Sequence, residues 1–301
     1  MKRTFLFIMM AAVLCACGHR ASTADGVDAD SVNISAGKAD ATSSEKPALV
    51  VDTIQIERSD SMAEVAFDIQ WPIDGNEGLV KSIRQFIREA CDIDDEKFSG
   101  TKAAFKDIVD MKYNGLVEGW DETYAEEGGM QFSSVISAEK LVEMPKFVTY
   151  QMTHSTYTGG AHGLYVLVGQ TFRKSDGREI GYRTEYEKDS FESKMVDNNL
   201  LKDVNSAKLY TMIKNGVLQY FKDNEMEIKS DEEMADYLQV EDINRIPLPA
   251  NPPYLTATGV MFCYTQYEIA PYAAGIISFE IPYDQIQPFL TDEAKALIPE
   301  K

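Results

Sequence analysis

A glycine-rich stretch between two β-rich segments constrains the fold of this chain more than any other feature. Residues 156–163 read Thr-Tyr-Thr-Gly-Gly-Ala-His-Gly, with three glycines within five positions. The flanking runs, 147–154 and 164–172, are rich in β-branched and aromatic residues, which favour strands. Glycine adopts the positive φ angles that a tight connection needs. The pattern therefore predicts a hairpin, and the apolar run 164–168 is typical of a central strand.

Alternating and helical patterns elsewhere indicate an α+β fold with mostly antiparallel sheets and packed helices. In the segment 61–73, apolar residues alternate with polar ones, as in a half-buried strand, and residues 48–58 are its expected antiparallel partner. Apolar residues at helical spacing predict helices over 79–90 and 105–124. A further helical segment is expected over 191–227, with its apolar stripe at 208–221. Two further strands are expected over 254–267 and 276–281.

The first residues have the organisation of an export signal. Lys2 and Arg3 precede an apolar run over 5–14, which is shorter than the roughly 20 residues that span a bilayer. Small residues before Cys17 resemble the cleavage site of bacterial lipoproteins. We therefore predict a lipoprotein signal peptide over 1–17, with Cys17 as the lipid-bearing N-terminus; an ordinary secretory signal is the alternative.

The next segment has the composition of a disordered tether. Residues 18–47 are mostly Ala, Ser, Asp, Gly and Thr, with almost no large apolar residue, so they cannot form a core. No acidic cluster follows Cys17, which favours a protein that faces the periplasm, at the outer membrane rather than the inner. The folded part is expected to divide into two units, 48–140 and 141–301.

The chain is strongly acidic, with 29 basic and 49 acidic residues and a formal net charge of −20. This balance argues against nucleic-acid binding, which needs a basic footprint. An acid excess could serve solubility alone. It could also attract a cationic partner through long-range steering.

Few residues carry the chemistry of a catalytic or metal site. The chain has three histidines, and two of them, His154 and His162, flank the glycine-rich stretch. They could bind zinc with a carboxylate only if they faced one another; hydrogen bonding within the fold is the alternative. Cys91 and Cys263 could form a disulfide in an oxidising compartment or be buried separately.

The sequence contains no recognisable nucleophile, phosphate-binding or dinucleotide-binding motif. It therefore predicts no catalytic residue, no metal and no cofactor, and it favours a binding protein over an enzyme. A hydrolase built on a carboxylate pair is an alternative, because the acidic residues are too numerous for a pair to be singled out.

Two separated motifs resemble a known family. One is Tyr-Thr-Gly-Gly-Ala-His-Gly at 157–163. The other is Phe-x-x-x-x-Tyr-Glu-Ile-Ala-Pro-Tyr-Ala-Ala-Gly at 262–275, followed by Ile-Pro-Tyr at 281–283. Their order, with helices between them, resembles the PdaC/RsiV-like envelope domains, long classed as domains of unknown function. The C-terminal unit carries these motifs, and the N-terminal unit resembles the companion domain in pattern only.

The resemblance implies a binding role. In one branch of the family the unit belongs to an anti-sigma factor that binds lysozyme, and in another it accompanies a deacetylase that acts on peptidoglycan. This sequence has no Asp-Asp motif that is followed by the His-x-x-x-His motif of such a deacetylase, and we expect neither deacetylation nor sigma-factor signalling. The resemblance implies an envelope protein that recognises a cationic protein such as lysozyme, with peptidoglycan binding as the alternative. Together with the predicted anchor at Cys17, it would be a lipid-anchored binding protein.

The two motifs also supply the candidate binding surface. Tyrosine combines an apolar ring with a polar tip and is a common anchor at interfaces, although each tyrosine could instead fill the core. The predicted surface consists of Tyr157, Thr158, Gly159, Gly160, His162, Gly163, Tyr267, Glu268, Pro271 and Tyr272. Tyr264 and Tyr283 lie in or beside the same motifs.

Overall fold

The computed structural model describes residues 48–120, 130–186, 193–228 and 230–299, which belong to one compact unit. The predicted signal peptide, 1–17, and the predicted tether, 18–47, lie outside the described residues. Within the described part of the chain, no helix is both long enough and apolar enough to cross a membrane.

A six-stranded sheet runs through the centre of the fold. Its strands occur in chain order, and all neighbours are antiparallel except β2 and β3, which are parallel. The first pair forms the expected hairpin, with Ile54 opposite Ile69. The strands are β1 Val50–Ser59, β2 Ala63–Asp74, β3 Phe132–Glu143, β4 Phe147–Tyr157, β5 Leu164–Arg173 and β6 Glu179–Ile180.

Two helices pack beside the first strands and form a first hydrophobic core. Helix α1 is Glu77–Ala90, and the side chain of Asn76 caps its N-terminus by accepting the N–H of Leu79. Helix α2 is Lys102–Glu118 and ends before the predicted boundary at 124; residues 121–129 lie outside the described part. The apolar stripes of both helices and the inward residues of β2 form this core, among them Leu79, Ile83, Phe105, Val109, Phe67 and Trp71.

The C-terminal part forms a second hydrophobic core around a three-stranded antiparallel sheet and the longest helix of this part. The sheet has the order β11–β10–β9, and helix α3 packs on β11. These elements are β7 Arg183–Tyr186, β8 Ser193–Val196, α3 Ala207–Asp223, α4 Asp231–Tyr237, β9 Tyr254–Leu255, β10 Gly259–Tyr264, β11 Ile277–Pro282, α5 Tyr283–Ile286 and α6 Asp292–Lys295. The predicted α+β class with mostly antiparallel sheets is confirmed.

The beginning of β4 lies between the two cores. Successive residues of a strand point to opposite faces, and here Val148 and Tyr150 belong to the first core while Phe147 belongs to the second. All four residues from Phe147 to Tyr150 are buried. The division into two units at residue 140 stays a prediction, and that position lies inside β3.

Two buried threonine hydroxyl groups join the six-stranded sheet to β9. The Thr149 hydroxyl donates to the carbonyl oxygen of Leu255 at 2.7 Å, and the Leu255 N–H donates to Thr171 Oγ1 at 2.9 Å. The two hydroxyl oxygens are 2.8 Å apart, and both side chains are fully buried. Together they satisfy both backbone polar groups of Leu255.

The structure corrects two details of the sequence prediction. Residues 193–196 form strand β8 and are not part of a helix over 191–227. Residues 164–170 are not in a central strand, because β6 pairs with β5 only at Thr171 and Phe172. Leu164 and Tyr165 are accordingly 47% and 40% exposed.

Cys91 and Cys263, the candidate disulfide partners, are free buried thiols. Burial raises the pKa of Cys91 to about 12 and that of Cys263 to about 11. Both side chains therefore stay protonated at neutral pH.

Thr171→Val should lower the free energy of unfolding by about 1–3 kcal/mol, because it leaves the buried Leu255 N–H without an acceptor. Urea denaturation monitored by circular dichroism measures the effect. Thr53→Val makes the same chemical change at an exposed position of β1 and should shift stability by less than about 0.5 kcal/mol. Equal effects of the two substitutions would show that the buried hydroxyl makes no special contribution.

Candidate functional site: an aromatic cluster joining two motifs

The loop between β4 and β5 is held in a defined shape. It covers residues 158–163, and Gly159 and Gly160 have φ angles of 98° and 89°, in the region that favours glycine. The Tyr157 hydroxyl donates to the carbonyl oxygen of Gly160 at 3.0 Å. The predicted hairpin is therefore present, and Tyr157 uses its polar tip to close the loop.

The segment 265–275, which connects β10 to β11, is organised by the carboxylate of Glu268. One carboxylate oxygen accepts the N–H of Ala250 at 2.6 Å. The other accepts the N–H and the hydroxyl of Thr265 at 2.8 and 3.1 Å. Charged acceptors make strong hydrogen bonds, so Glu268 fixes the loop with its carboxylate instead of presenting it to a partner.

A short 3-10 helix, Tyr272–Ala274, follows within the same segment, and Pro271 precedes its first residue. The Tyr220 hydroxyl of helix α3 donates to the carbonyl oxygen of Ala274 at 2.7 Å. Tyr267 has a φ angle of 68°, which is uncommon for a residue other than glycine. These contacts set the direction of Tyr267 and Tyr272.

The loop and the segment meet in an aromatic cluster of His162, Tyr267 and Tyr272. The His162 ring stacks on Tyr272 with centroids 3.7 Å apart and planes 18° apart. His162 Nε2 and the Tyr267 hydroxyl oxygen are 3.1 Å apart and share a hydrogen bond. The two tyrosine rings lie 5.6 Å apart at 40°. The structure thus brings together two motifs that lie about a hundred residues apart in sequence.

The members of the aromatic cluster differ in exposure. Tyr267 is 53% exposed, His162 is exposed, and Tyr272 is half-buried. Because His162 covers one face of Tyr272, Tyr267 offers the more accessible ring.

The sequence did not identify the exposed apolar residues beside the cluster. The N–H of Tyr165 donates to the side-chain oxygen of Gln266 at 2.9 Å, and Gln266 precedes Tyr267 in the chain. Leu164 and Tyr165 therefore lie next to the segment that carries Tyr267. The apolar run 164–168 gave no sign of this exposure, because alternation cannot show which strand lies at a sheet edge.

Other candidate residues have structural contacts. The Tyr264 hydroxyl donates to the carbonyl oxygen of Pro247, and that of Tyr283 to the carbonyl oxygen of Thr256, each at 2.7 Å. Burial raises the pKa of both tyrosines. They hold loops in place.

The two candidate zinc ligands have partners other than each other. His154 is half-buried on β4, and its Nε2 lies 3.0 Å from the hydroxyl oxygen of Ser134. Its pKa is lowered, mainly by burial, whereas His162 belongs to the aromatic cluster. Among the residues that the structure describes, no group of three or more His, Cys, Asp or Glu side chains could hold a metal ion.

The comparisons with known proteins match part of this chain to a family without an assigned function. A model of the family described as protein of unknown function, DUF3298, matches residues 198–284. The match includes Tyr267 and Tyr272 but not the glycine-rich loop. No curated protein matches the sequence of this chain.

Two solved structures share the fold. A DUF3298 family member from Bacteroides fragilis has a TM-score of 0.61 at 20% identity, over 82% of this chain and 95% of that chain. A DUF3298 family protein from Pseudomonas aeruginosa has a TM-score of 0.55 at 13% identity, over 85% of this chain and 100% of that chain. The chain therefore contains a DUF3298 domain in a fold similar to these structures, while the PdaC/RsiV-like resemblance stays a prediction.

Glu268→Gln should loosen the segment 265–275, because a side-chain amide cannot accept hydrogen bonds at both of its ends. Either the Ala250 N–H or the Thr265 N–H then loses its acceptor, and its hydrogen exchange should become about tenfold faster or more. Amide exchange followed by NMR measures this rate. Glu241→Gln, at an exposed position, should leave both amides unchanged; unchanged exchange in Glu268→Gln would contradict the assigned role.

Proposed function

We propose that this chain is a lipid-anchored binding protein of the cell envelope that recognises a cationic envelope protein such as lysozyme. The observation that carries the proposal is the aromatic cluster. Residues from two distant motifs contact one another and form one exposed surface. Tyr267 is the most accessible aromatic ring of that surface. The resemblance to PdaC/RsiV-like domains supplies lysozyme as the candidate.

The surface has the composition of a binding site for a protein. Exposed Leu164, Tyr165 and Tyr267 combine apolar area with polar tips. Tyrosine is among the residues that contribute most to affinity at protein interfaces. The hydrogen bond and the stacking contact fix the rings before a partner arrives, which lowers the entropy cost of binding.

The charge of the chain favours a cationic partner. A net charge of −20 creates a field that attracts cations over a distance and raises their association rate. This electrostatic steering depends on the charge of the whole chain and not on any single carboxylate. It is therefore compatible with the Glu268 carboxylate being hydrogen-bonded to Ala250 and Thr265 within the fold.

Calorimetric titration of the protein with a cationic lysozyme should give saturable binding that persists at moderate salt. Tyr267→Ala should weaken the affinity about tenfold or more, since it removes a central anchor. Tyr210→Ala, on helix α3 and outside the predicted surface, is the matched control and should bind normally. Binding seen only at low salt, or insensitive to Tyr267→Ala, would contradict recognition through the cluster.

A second candidate function is peptidoglycan or glycan binding, which the grouping of three aromatic rings favours. Aromatic rings can stack on sugars as they do on other flat surfaces. Tyr267 suits this role better than Tyr157, which closes the loop, or Tyr272, which is covered by His162. Co-sedimentation with purified cell wall that is lost in Tyr267→Ala, without lysozyme binding, would favour this function.

The proposed anchor is a lipid on Cys17, with the protein facing the periplasm and the outer membrane favoured. Labelled palmitate should enter the wild-type protein and not Cys17→Ser, because the lipid is attached through that thiol. Cys15→Ser changes a cysteine two positions earlier and should keep the label. Density fractionation of the membranes then distinguishes outer from inner; label retained in Cys17→Ser would contradict the anchor.

A further inference from the structure

A groove of about 760 Å³ lies beside helix α1 and the loop that follows it. Its apolar lining includes Trp71, Val80, Ile93 and Phe98. This volume lies within the range of roughly 300–1,000 Å³ that is typical of small-ligand sites. The groove shares no lining residue with the predicted surface, so its function is separate from the one proposed above.

Arg84 is held in place at this groove in a way that leaves its outer nitrogens open. Its Nε donates to the carbonyl oxygen of Pro72 at 2.8 Å, and the guanidinium carbon lies 5.4 Å from the centre of the Trp71 ring. Among the described residues, neither terminal nitrogen of Arg84 has a hydrogen-bond or ion-pair partner. A guanidinium fixed through Nε and by ring contact is preorganised for two parallel hydrogen bonds to an anion.

Two more cations line the same groove. Lys81, Arg84 and Arg88 follow the i, i+3, i+7 spacing of one helix face. Within the described ranges, none of the three lies within 4 Å of a carboxylate. Three unpaired cations lining one groove are unexpected in a chain with a net charge of −20. The helix therefore offers a local site for an anionic group.

Acidic side chains limit which anion fits. The loop after α1 contributes Asp94 and Glu96 to the groove, and Asp74, Glu77 and Glu89 also line it. These carboxylates outnumber the three cations, so a dianion such as phosphate meets net repulsion. A ligand that carries one carboxylate and a separate ammonium group matches both kinds of side chain.

We propose that this groove binds a short peptide that has a free C-terminal carboxylate and a cationic amine. Its carboxylate accepts two hydrogen bonds from the terminal nitrogens of Arg84, with Arg88 and Lys81 adding positive charge. Its amine interacts with Asp94 and Glu96, and an apolar side chain contacts Ile73, which is 52% exposed, and Phe98. No bond is made or broken in this process.

The test uses the tripeptide Lys-Ala-Leu with a free C-terminus as the probe, titrated calorimetrically into the protein. We expect saturable binding, and the same tripeptide with a C-terminal amide should bind about tenfold more weakly or worse, because it lacks the charged acceptor. Inorganic phosphate and acetate are titrated in parallel. No saturable binding of the free-acid peptide, equal binding of the amide, or tighter binding of phosphate would each overturn the proposal.

Variants connect the binding to the groove. Arg84→Gln should weaken the free-acid peptide about tenfold or more and should barely change the amide. Arg84→Lys keeps the positive charge but removes the pair of parallel N–H donors of the guanidinium. This variant should therefore also bind the free-acid peptide more weakly. Lys208→Gln removes a cation from helix α3, outside the groove, and should bind as the wild type does. If Arg84→Gln does not fold, Arg84→Lys decides: unchanged affinity there would refute the assigned contact.

Discussion

The backbone of Leu255 is held by two threonine side chains, and the arrangement of the second half of the molecule depends on this contact. Leu255 is the last residue of the two-residue strand β9. It is fully buried, so its N–H and carbonyl oxygen need hydrogen-bond partners within the protein. Thr149 and Thr171 satisfy both groups. Both threonines are buried, and a buried hydroxyl group without a hydrogen-bond partner would destabilise the fold. These hydrogen bonds attach the three-stranded sheet to the six-stranded sheet at a fixed position along β4 and β5.

Contacts continue from that attachment point toward the loop. Gln151 donates to the Tyr254 hydroxyl at 2.9 Å. A Cβ at Gly169 would lie 2.1 Å from the Tyr254 ring, so only glycine lets the ring lie against β5. Farther along, Tyr165 meets Gln266, and His162 meets Tyr267 and Tyr272. The second half of the molecule thus contacts β4 and β5 at several points, from the buried Leu255 to the exposed aromatic cluster.

Charge and aromatic contact have separate places in this molecule. The acid excess belongs to the chain as a whole and acts at long range. The one carboxylate of the segment that carries Tyr267 and Tyr272 belongs to Glu268, and it is hydrogen-bonded to Ala250 and Thr265. A surface built this way would gain its association rate from the whole molecule and its specificity from a few fixed rings.

The sequence by itself determined the fold class, the main helices and strands, and the hairpin between β4 and β5. Alternation in β2, the helical stripes of α1 and α2, and the glycines of the loop are local patterns that express local geometry. They predicted the α+β class and the hairpin correctly. The two motifs that carry the family resemblance, and not these patterns, supplied His162, Tyr267 and Tyr272 as candidate residues. Tertiary structure decided which side of each element is covered. Leu164 and Tyr165 are exposed because the short strand β6 does not extend to them. Tyr264 and Tyr283 hold loops in place because their hydroxyl groups donate to the carbonyl oxygens of Pro247 and Thr256. Periodicity assigns a residue to a face, but exposure depends on what distant parts of the chain place against that face.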